Sequence, residues 1–320
     1  MNKDKYEYFT IAENDSDKRI DSVIRRFLPL MPLKNIFKSI RSGDIRVNNL
    51  KVKQNHKLKI GDTIAIYKPY LQQKKTDTKN VVKEIDKDRV IYENRDILIY
   101  NKPRGVLVHG EKNSLDFQIR NYLKDKVEES LSFSPGPLHR LDRNTQGLIA
   151  FSVSLNGARE FTNLLKNGGI RKFYIAVVDG IHSKKEVWKD SISRNEMENK
   201  SYVTSEGKIS ETIFKPIFSK DNYTIALLEI KTGRTHQIRV QCSAHNKPLT
   251  GDIKYNKNTK YKKYYLSAIS LSFVKKSDII DINNISMPFS KISDSLISNL
   301  FTSLEIKNID MLIQKELERV

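Results

Sequence analysis

An aspartate between two arginines is the first chemically unusual feature of this sequence. In the stretch LHRLDRNTQGLIAF, residues 138–151, Asp142 follows a histidine and precedes a glycine and an apolar run. Flanking arginines favour the ionised form of a carboxylate. An ionised aspartate is a poor general acid but a plausible nucleophile. The other interpretation is an ordinary ion pair in a loop, and at this level both interpretations stand.

Two further segments combine unusual polar residues with a strand or glycine context. RKFYIA, residues 171–176, contains Tyr174, and TGRTHQIRVQCSAH, residues 232–245, contains Arg239. Each segment adjoins an apolar run, which predicts a position at the edge of a sheet or cleft, where functional loops are common. Taken alone, Tyr174 could equally be sheet packing and Arg239 a surface arginine. The three segments therefore predict a cleft without identifying its reaction.

Several familiar site chemistries fit this sequence poorly. One candidate metal motif has the pattern H-x5-C-x2-H, formed by His236, Cys242 and His245. Structural zinc sites usually bring four ligands at tighter, paired spacings. His139 near Asp142 suggests a hydrolytic triad, but no serine lies in a G-x-S-x-G elbow. A glycosidase needs two flanking carboxylates, and Asp252 in LTGDIKY is the next candidate. Neither GxGxxG nor a Walker loop occurs, so we expect no cofactor and no metal.

Composition indicates a basic globular protein with a polyanionic partner. The chain has 320 residues, of which 38% are apolar and 30% charged, and its net charge is +19. Each lysine or arginine set against a phosphate releases a condensed counterion, so such a charge favours nucleic acid. A lysine-rich proteome would give the same balance. One cysteine excludes an intrachain disulfide. With no apolar leader and no membrane-length run, we expect a cytoplasmic protein.

Residues 18–69 read as a small α+β domain behind an N-terminal segment, residues 1–17. Apolar residues of IDSVIRRFL recur at helical spacing, and a second helix is predicted between Pro32 and Gly43. Short alternating patterns follow around 45–47, 50–52 and 64–66. The unit has a basic side, made by Lys34, Lys38, Arg41 and Arg46. Any small helix-hairpin domain would share this outline.

Residues 70–87 are polar and lysine-rich and predict a linker to a second domain, residues 88–320. In that domain β-type segments recur in VIYENRDILIYNKP, VLVH, LIAFSVS, FYIAVVDG and YTIALLEIKTG. Helical patterns lie between them at 156–166 and 235–245. The fold class is therefore α+β, with a large, mainly antiparallel sheet. The tail after about residue 280 ends in a helix-like segment to which we assign no function.

Four ordered motifs resemble the bacterial pseudouridine synthases of the ribosomal large-subunit type, over residues 18–290. They are NKPRGVLVH, HRLD with Thr145 and Gly147 after it, RKFYIA, and TGRTHQIR followed by GDIKY. KSIRSGDIRVNN, near the start of the chain, resembles the S4 RNA-binding domain. The resemblance implies an RNA-modifying isomerase that converts uridines to pseudouridine, in 23S rRNA or a ribosomal precursor particle. It implies no cofactor and no metal, and we expect a monomer without a membrane partner.

The resemblance also assigns roles to individual residues. Asp142 would be the nucleophile, attacking C1′ of the target uridine or acting by another route. Tyr174 would stack on the base and assist removal of the C5 proton, and Arg239 would form a salt bridge with Asp142. Arg140 would fill the gap left by the flipped base, which suits a planar guanidinium. RNA binding by the first domain would use its basic side, Lys34, Lys38, Arg41 and Arg46.

Three positions depart from the family's usual pattern. Asn144 and Gln146 stand where the family more often has Asp and Ser, and Gln241 stands where it often has His. They bear on loop geometry and target choice rather than on the reaction. A tRNA substrate, a non-catalytic S4 RNA-binding factor and a uracil-releasing nucleosidase remain as alternatives. The presence of Asp142, Tyr174 and Arg239 together argues against the second.

Overall fold

Two sheets organise the chain in the computed structural model, which describes residues 5–72, 83–111, 113–291 and 294–319. The smaller sheet belongs to an N-terminal module, residues 5–70. Its elements are β1 (Tyr6–Thr10), α1 (Ile20–Phe27), α2 (Leu33–Ser42), β2 (Ile45–Val47) and β3 (Thr63–Tyr67). The strands pair in the order β1-β3-β2, all antiparallel. The two helices and two of the strands lie where the sequence predicts them.

The helices of the module follow directly from apolar spacing. Ile20, Val23 and Ile24 on α1 are fully buried against α2 and the sheet. Gly43 ends α2 in the left-handed conformation, at φ 86°, which favours glycine. Strand β1 lies in the segment that the sequence left outside the domain, because a half-exposed edge strand carries little apolar alternation. No strand forms at 50–52, and residues 73–82 of the predicted linker lie outside the described residues.

The larger sheet dominates the remainder of the chain. Its strands are β4 (Val90–Glu93), β5 (Ile97–Lys102), β6 (Gly136–Pro137), β7 (Gln146–Ser152), β8 (Ile170–Asp179), β9 (Glu186–Asn195), β10 (Lys200–Val203), β11 (Lys208–Lys220), β12 (Tyr223–Ile230), β13 (Leu266–Phe273) and β14 (Asn284–Ser286). The order is β10-β9-β11-β12-β8-β13-β7-β5-β4, with β14 on β13 and β6 on β7. Strands β7 and β13 pair in parallel, and the other pairs are antiparallel. The predicted mixed α+β class with a large, mainly antiparallel sheet is confirmed.

Five helices cover the sheet: α3 (Leu115–Leu123), α4 (Leu155–Lys166), α5 (Gln237–Ala244), α6 (Ser295–Leu300) and α7 (Ser303–Leu317). Because side chains alternate along a strand, the central strand β8 serves two cores. Tyr174 and Ala176 face the core that holds α3 and α5. Phe173 and Ile175 face the core closed by α6 and α7. The C-terminal tail therefore covers the face of the larger sheet opposite α3 and α5. No helix within the described ranges is long and apolar enough to cross a membrane.

One predicted strand, VLVH at residues 106–109, is wrong. This segment is a loop whose carbonyl groups are used elsewhere. The Leu107 carbonyl accepts a hydrogen bond from Leu115 N, and the Val108 carbonyl accepts one from Asp116 N, at the start of α3. The longest strand, β11, was not singled out from the sequence. A bulge between Pro216 and Phe218 and many half-exposed positions weaken its alternation.

The module docks on the larger domain through one buried aspartate. The Asp15 carboxylate accepts hydrogen bonds from Ser130 Oγ, Leu131 N, and both Ser132 N and Ser132 Oγ, at 2.5–3.0 Å. Lys18 adds a bond to Ser132 Oγ, and the Leu131 side chain packs against the core of the module. The two parts of the chain are thus joined by specific contacts as well as by the connecting segment.

Candidate active site

The three unusual segments of the sequence meet at one cavity of about 510 Å³. Asp142 comes from the loop before β7, Tyr174 from β8, and Arg239 from α5. All three side chains line the cavity, as does Arg140. Its volume falls within the range of about 300–1,000 Å³ that is typical of small-molecule sites. The structure therefore brings the predicted catalytic residues together.

The Asp142 loop is held in place by a fully buried lysine. Lys102, at the end of β5, donates hydrogen bonds to the carbonyl groups of Pro103, Val106 and Arg143 at 2.8–3.0 Å. Gly105 N donates to the same Arg143 carbonyl. Burial lowers the pKa of Lys102 to about 7, while the Asp142 charge opposes the shift. The lysine thus couples the loop after β5 to the residue next to the candidate nucleophile.

Gly147 allows the Asp142 loop to continue into β7 where the backbone of β13 lies very close. Its φ is 106°, and a Cβ at this position would lie 2.1 Å from the Ala268 carbonyl oxygen of β13. No other residue type fits both the conformation and the contact. The same close approach forms the parallel β7–β13 pairing, in which Gly147 is paired with Ala268. The glycine of the sequence motif is therefore explained by packing beside the candidate nucleophile.

Arg239 is fixed mainly by Asp252. Its Nε and Nη2 donate to the Asp252 carboxylate at 2.7 and 2.8 Å, and both residues are buried. The guanidinium also lies between the rings of Tyr255 and Tyr264, at 5.0 and 4.7 Å. Burial alone would lower the pKa of Arg239, but the hydrogen bonds to Asp252 together with the charge interactions with Tyr264, Asp252 and Asp142 outweigh burial and raise it. Arg239 is therefore a rigid, permanently charged wall of the cavity.

Asp142 has two cationic or potentially cationic neighbours. Arg239 Nη1 lies 3.6 Å from its Oδ2, so the predicted ion pair is present but looser than the pair with Asp252. His236 Nε2 lies 3.9 Å from the same oxygen, while Nδ1 contacts the Tyr255 hydroxyl at 2.8 Å. Burial lowers the pKa of His236 to about 4, against the attraction of Asp142. His236 is therefore neutral at pH 7, and Arg239 supplies the positive charge.

Tyr174 forms a buried aromatic wall of the cavity. Apolar side chains from Ile230, Ile238 and Leu266 line the cavity with it. Burial, and then the Asp142 charge, raise the pKa of Tyr174 well above its usual range. The phenol is therefore protonated at neutral pH. Such a ring can stack on a flat ligand held over Asp142.

A larger, basic groove of about 1,370 Å³ adjoins the cavity at the Asp142 loop. It shares residues 139–142 with the cavity, and the exposed Arg140 lines both spaces. Seven further arginines and lysines line it: Arg104, Arg143, Arg194, Arg239, Lys254, Lys262 and Lys263. Arg104 is anchored to Asp294 at 3.0 Å, which links the groove to the start of α6. The groove has the charge expected of a site for a polyanion.

The histidines and the cysteine of the sequence motifs have structural partners. His139 Nε2 accepts a hydrogen bond from Ala150 N, and burial, followed by repulsion from Lys172, lowers its pKa to about 3. His245 bonds Asp190 and stacks on Trp188, with ring centroids 4.7 Å apart. The Cys242 thiol is fully buried. These contacts account for the side chains of the H-x5-C-x2-H pattern without a metal.

The basic residues predicted on the module divide into two groups. Lys34, Lys38 and Arg41 lie on α2 and are exposed. Arg46 is half-buried: its Nε donates to the Gly43 carbonyl, and its guanidinium lies 5.2 Å from the ring centroid of Tyr6. Arg46 therefore stabilises the module, and its role in RNA binding stays a prediction.

Two important contacts of the site could not be read from the sequence. Asp252 was the next candidate catalytic carboxylate, but its bonds to Arg239 make it the residue that orients the arginine. Gln241, one of the departures, bonds Thr212 and Asp190 at 2.6 and 2.7 Å and serves the core of the sheet. The sequence marked Asp252, in GDIKY, as an unusual acidic residue, but its pairing with Arg239 depends on the tertiary structure.

Comparisons with known proteins agree with this site. Residues 96–244 match the family model for RNA pseudouridylate synthase. The Vibrio vulnificus ribosomal large subunit pseudouridine synthase C is 32% identical over 263 residues, covering 78% of this chain and 80% of the relative. The protein of the same name from Buchnera aphidicola subsp. Baizongia pistaciae is 32% identical over 257 residues, with the same coverages. Among solved structures, human RNA pseudouridylate synthase domain containing 1 is similar in fold, with a TM-score of 0.53 at 23% identity, over 72% of this chain and 97% of that one.

The matching family model and the two relatives define an enzyme that rearranges a base within RNA. The chain belongs to the RNA pseudouridylate synthase family. It is accordingly an isomerase, and its candidate nucleophile, Asp142, lies within the matched residues.

Proposed function

We propose that this enzyme converts specific uridines of large-subunit rRNA to pseudouridine, with Asp142 as the nucleophile. The observation that carries the proposal is the Asp142 carboxylate itself, which lines one cavity together with a protonated tyrosine and a fixed arginine. The rRNA target is supported by the printed names of the relatives, which are ribosomal large subunit enzymes. The basic groove beside the cavity supports a polyanionic substrate.

The first step is extrusion of the target uridine from its helix or loop. Base flipping costs a few kcal/mol in lost stacking and pairing. Arg140 is exposed at the junction of the groove and the cavity, where its planar guanidinium can stack in the gap that the uridine leaves. Phosphate contacts along the groove offset the remainder of the cost.

The chemical step exchanges one bond of the base for another. The Asp142 carboxylate attacks the nucleotide, the C1′–N1 bond breaks, and uracil turns within the cavity. C5 then bonds to C1′ as the bond between the Asp142 oxygen and the nucleotide breaks, which regenerates the carboxylate; C5 loses a proton, and N1 gains one. The product is an isomer of the substrate, so no atom is gained or lost. A covalent aspartyl intermediate divides one difficult exchange into two easier steps.

Arg239 and Tyr174 support this step in different ways. The Arg239 guanidinium lies 3.6 Å from Asp142, close enough to orient the carboxylate, yet its tighter bonds to Asp252 leave the nucleophile available. Tyr174 is protonated, because burial and the Asp142 charge raise its pKa. We therefore assign the ring chiefly to stacking on the base. Any part in removing the C5 proton would require the phenol to act without prior ionisation.

We also propose that the N-terminal module is an S4-like RNA-binding unit. Support comes from its two helices, its small sheet, and the exposed cations Lys34, Lys38 and Arg41 on α2. A variant with Lys34→Ala and Lys38→Ala should bind rRNA with a salt dependence that is flatter by about 1.5 log–log units, since two phosphate contacts are lost. Lys307→Ala with Lys315→Ala, on α7 at the back of the sheet, is the matched control. Equal slopes in the two double variants would refute this assignment.

A single chain holds all three candidate catalytic residues in one cavity, which supports a monomer as the active form. An rRNA substrate, or a precursor particle that contains it, further supports a cytoplasmic enzyme. Size-exclusion chromatography with light scattering, compared with activity at nanomolar concentration, tests the monomer.

The deciding experiment maps pseudouridine by carbodiimide modification and primer extension in RNA from cells that lack the gene. Cells complemented with the wild-type gene should regain at least one 23S rRNA signal, and cells with Asp142→Asn should not. Asp125→Asn, an exposed carboxylate on another surface, should restore the signal fully.

The same map covers the alternatives. A signal lost only from tRNA would replace the rRNA proposal with a tRNA one. Loss of no signal, combined with retained rRNA binding, would indicate a non-catalytic RNA-binding factor. Restoration by Asp142→Asn would remove Asp142 from the role of nucleophile.

A further inference from the structure

Lys172 lines the same cavity as the candidate catalytic residues but has no part in the mechanism above. It precedes Tyr174 by two residues on β8, so both side chains lie on the same face of the strand. At about 3.3–3.4 Å per residue, their Cα atoms are about 7 Å apart. Lys172 therefore lies about as far from the Tyr174 ring, which we assign to stacking on uracil, as the phosphate of a nucleotide lies from its base.

The ammonium group of Lys172 has no anionic partner within the described ranges of the chain. Among the residues that the structure describes, no carboxylate raises its pKa, and Nζ donates no hydrogen bond. The neighbouring cations differ in this respect. Arg171 donates to both Glu229 oxygens at 2.7 and 2.8 Å, and Lys231 is paired with the same carboxylate. Glu229 is paired with Phe173 across β12 and β8, so its carboxylate lies with Arg171 on the opposite face of the sheet and gives Lys172 no counter-charge.

An ammonium group that is partly buried and has no anionic partner destabilises the folded state. Removing a charge from water without compensation is unfavourable, and such a group normally has a carboxylate nearby. Burial lowers the pKa of Lys172, which expresses this cost. The Lys172 charge also repels a proton from His139. No carboxylate within the described residues offsets this cost, so an anion brought by a ligand would be bound favourably at this position.

The geometry restricts which anion this is. Nζ of Lys172 lies 3.8 Å from where a Cβ on Gly233 would be, so the missing side chain leaves the ammonium accessible from the cavity. Tyr174 and Asp142 occupy the part of the cavity assigned to base and sugar. The anion joined to a ribonucleoside at this distance is its backbone phosphodiester. We propose that Lys172 binds the phosphodiester adjacent to the flipped uridine.

This inference rests on the proposed function and deepens it, because it states how the nucleotide is oriented. A phosphate held by Lys172 fixes one end of the nucleotide while Tyr174 holds the base. The sugar carbon between them is then directed toward Asp142. Free uridine, which lacks the phosphate, should be a far poorer ligand than a uridine within a chain.

The first test compares Lys172→Met and Lys172→Arg with the wild-type enzyme, on total rRNA from cells that lack the gene. Met removes the charge at similar length, and Arg retains it and can bond a phosphate through two N–H groups. We expect Lys172→Met to raise KM by about tenfold to a hundredfold, as for loss of a charge-assisted contact. We expect kcat to change less than KM, and Lys172→Arg to recover most of the loss. Lys307→Met, on the back of the sheet, should match wild type.

Stability separates this role from a structural one. Because Lys172→Met removes an unpaired charge, its thermal midpoint should equal or exceed that of wild type. If the Met variant failed to fold, Lys172→Gln would take its place in the same comparison.

The second test is a cycle between the protein and the RNA. A synthetic RNA containing the mapped uridine is made with a neutral methylphosphonate at either adjacent phosphate, or three nucleotides away as a control. One adjacent substitution should weaken wild-type binding by about tenfold or more, yet scarcely affect the already weakened Lys172→Met enzyme. The distant substitution should affect both enzymes equally.

The outcomes distinguish the two levels of inference. A wild-type enzyme that modifies no RNA would overturn the proposed function and this site with it. An active wild-type enzyme whose Lys172→Met variant has unchanged KM would overturn the phosphate site alone. Independent losses from the variant and from both adjacent methylphosphonates would likewise overturn it, since a direct contact requires the two effects to overlap.

Discussion

Replacing Asp252 by asparagine should damage both stability and catalysis, because Asp252 is the principal partner of the buried Arg239. The carboxylate receives two charge-assisted bonds, at 2.7 and 2.8 Å. An asparagine offers one oxygen, and its NH2 group would face an N–H of the guanidinium, so one bond is lost and one contact becomes repulsive.

The magnitude follows from the burial of the pair. Removing one partner of a buried ion pair costs about 3–5 kcal/mol. Tyr255 and Tyr264 still flank the guanidinium, and such cation–π contacts each retain about 0.5–2 kcal/mol. We therefore expect Asp252→Asn to lower the free energy of unfolding by about 3 kcal/mol, near the lower end of that range.

The effect on activity has a separate cause. Without its main acceptor, Arg239 should turn toward Asp142, which already lies 3.6 Å away. A closer bond would occupy the nucleophile and shift its position, and misplacement by about 1 Å can cost about a hundredfold in rate. Single-turnover pseudouridine formation measures this loss, and urea unfolding at 25 °C measures the loss of stability.

Asp86→Asn is the matched control, since Asp86 forms an exposed ion pair with Arg89 at 3.2 Å. Exposed pairs contribute less than about 1 kcal/mol, so this variant should behave like wild type. The double variant Asp252→Asn with Arg239→Met should regain stability but not activity, because the unpaired guanidinium is gone. If Asp252→Asn has the same free energy of unfolding as Asp86→Asn and keeps its single-turnover rate within threefold of wild type, the orienting role of Asp252 is refuted.

Three further predictions concern other parts of the fold. Burial lowers the pKa of Lys102 to about 7, below its unfolded value of about 10.4, so the unfolded chain binds the extra proton between these values and stability rises with pH there. Wild type should therefore gain stability relative to Lys102→Met between pH 7 and 10 in urea titrations, and a parallel pair of curves would contradict this. Tyr174→Phe should keep rRNA affinity within threefold, whereas Tyr174→Ala should lose about tenfold if the ring stacks on the base; equal affinities in filter binding would exclude stacking. Asp15→Ala leaves several buried donors unpaired, so it should destabilise the chain by about 3 kcal/mol and expose the module to limited proteolysis. Glu13→Ala, an exposed neighbour, should resist the protease as wild type does, and an Asp15 variant equally resistant would show that the docking contact contributes little.

Short-range patterns were enough to predict the elements that carry the site. Apolar spacing gave α1, α2, α4 and α5, and strand-type patterns gave β4, β5, β12, the strand β7 that follows Asp142, and the strand β8 that holds Tyr174. That three distant segments share one cavity followed from their motifs considered together. These features are local, because the hydrophobic periodicity of a helix or a strand is visible in consecutive residues.

Features that depend on contacts between distant residues were beyond the sequence. The partnership of Arg239 with Asp252 joins α5 to a loop 13 positions later, and no periodicity encodes it. VLVH has the composition of a strand, yet its backbone is used by Lys102 and α3. Lys172 looked like any lysine beside a strand, and only its place on the cavity face of β8, opposite the face that holds Glu229 and Arg171, distinguishes it.

The docking contact of Asp15 has a consequence for how the enzyme selects a uridine within an RNA. Because the module is clamped to the larger domain at Ser130–Ser132, the separation between α2 and Asp142 is set by packed protein and not by the length of the connecting segment. If α2 binds one RNA element, the enzyme then selects its target uridine by a fixed distance from that element. It should accept a uridine at one spacing from that element and pass over identical sequences displaced by a few nucleotides.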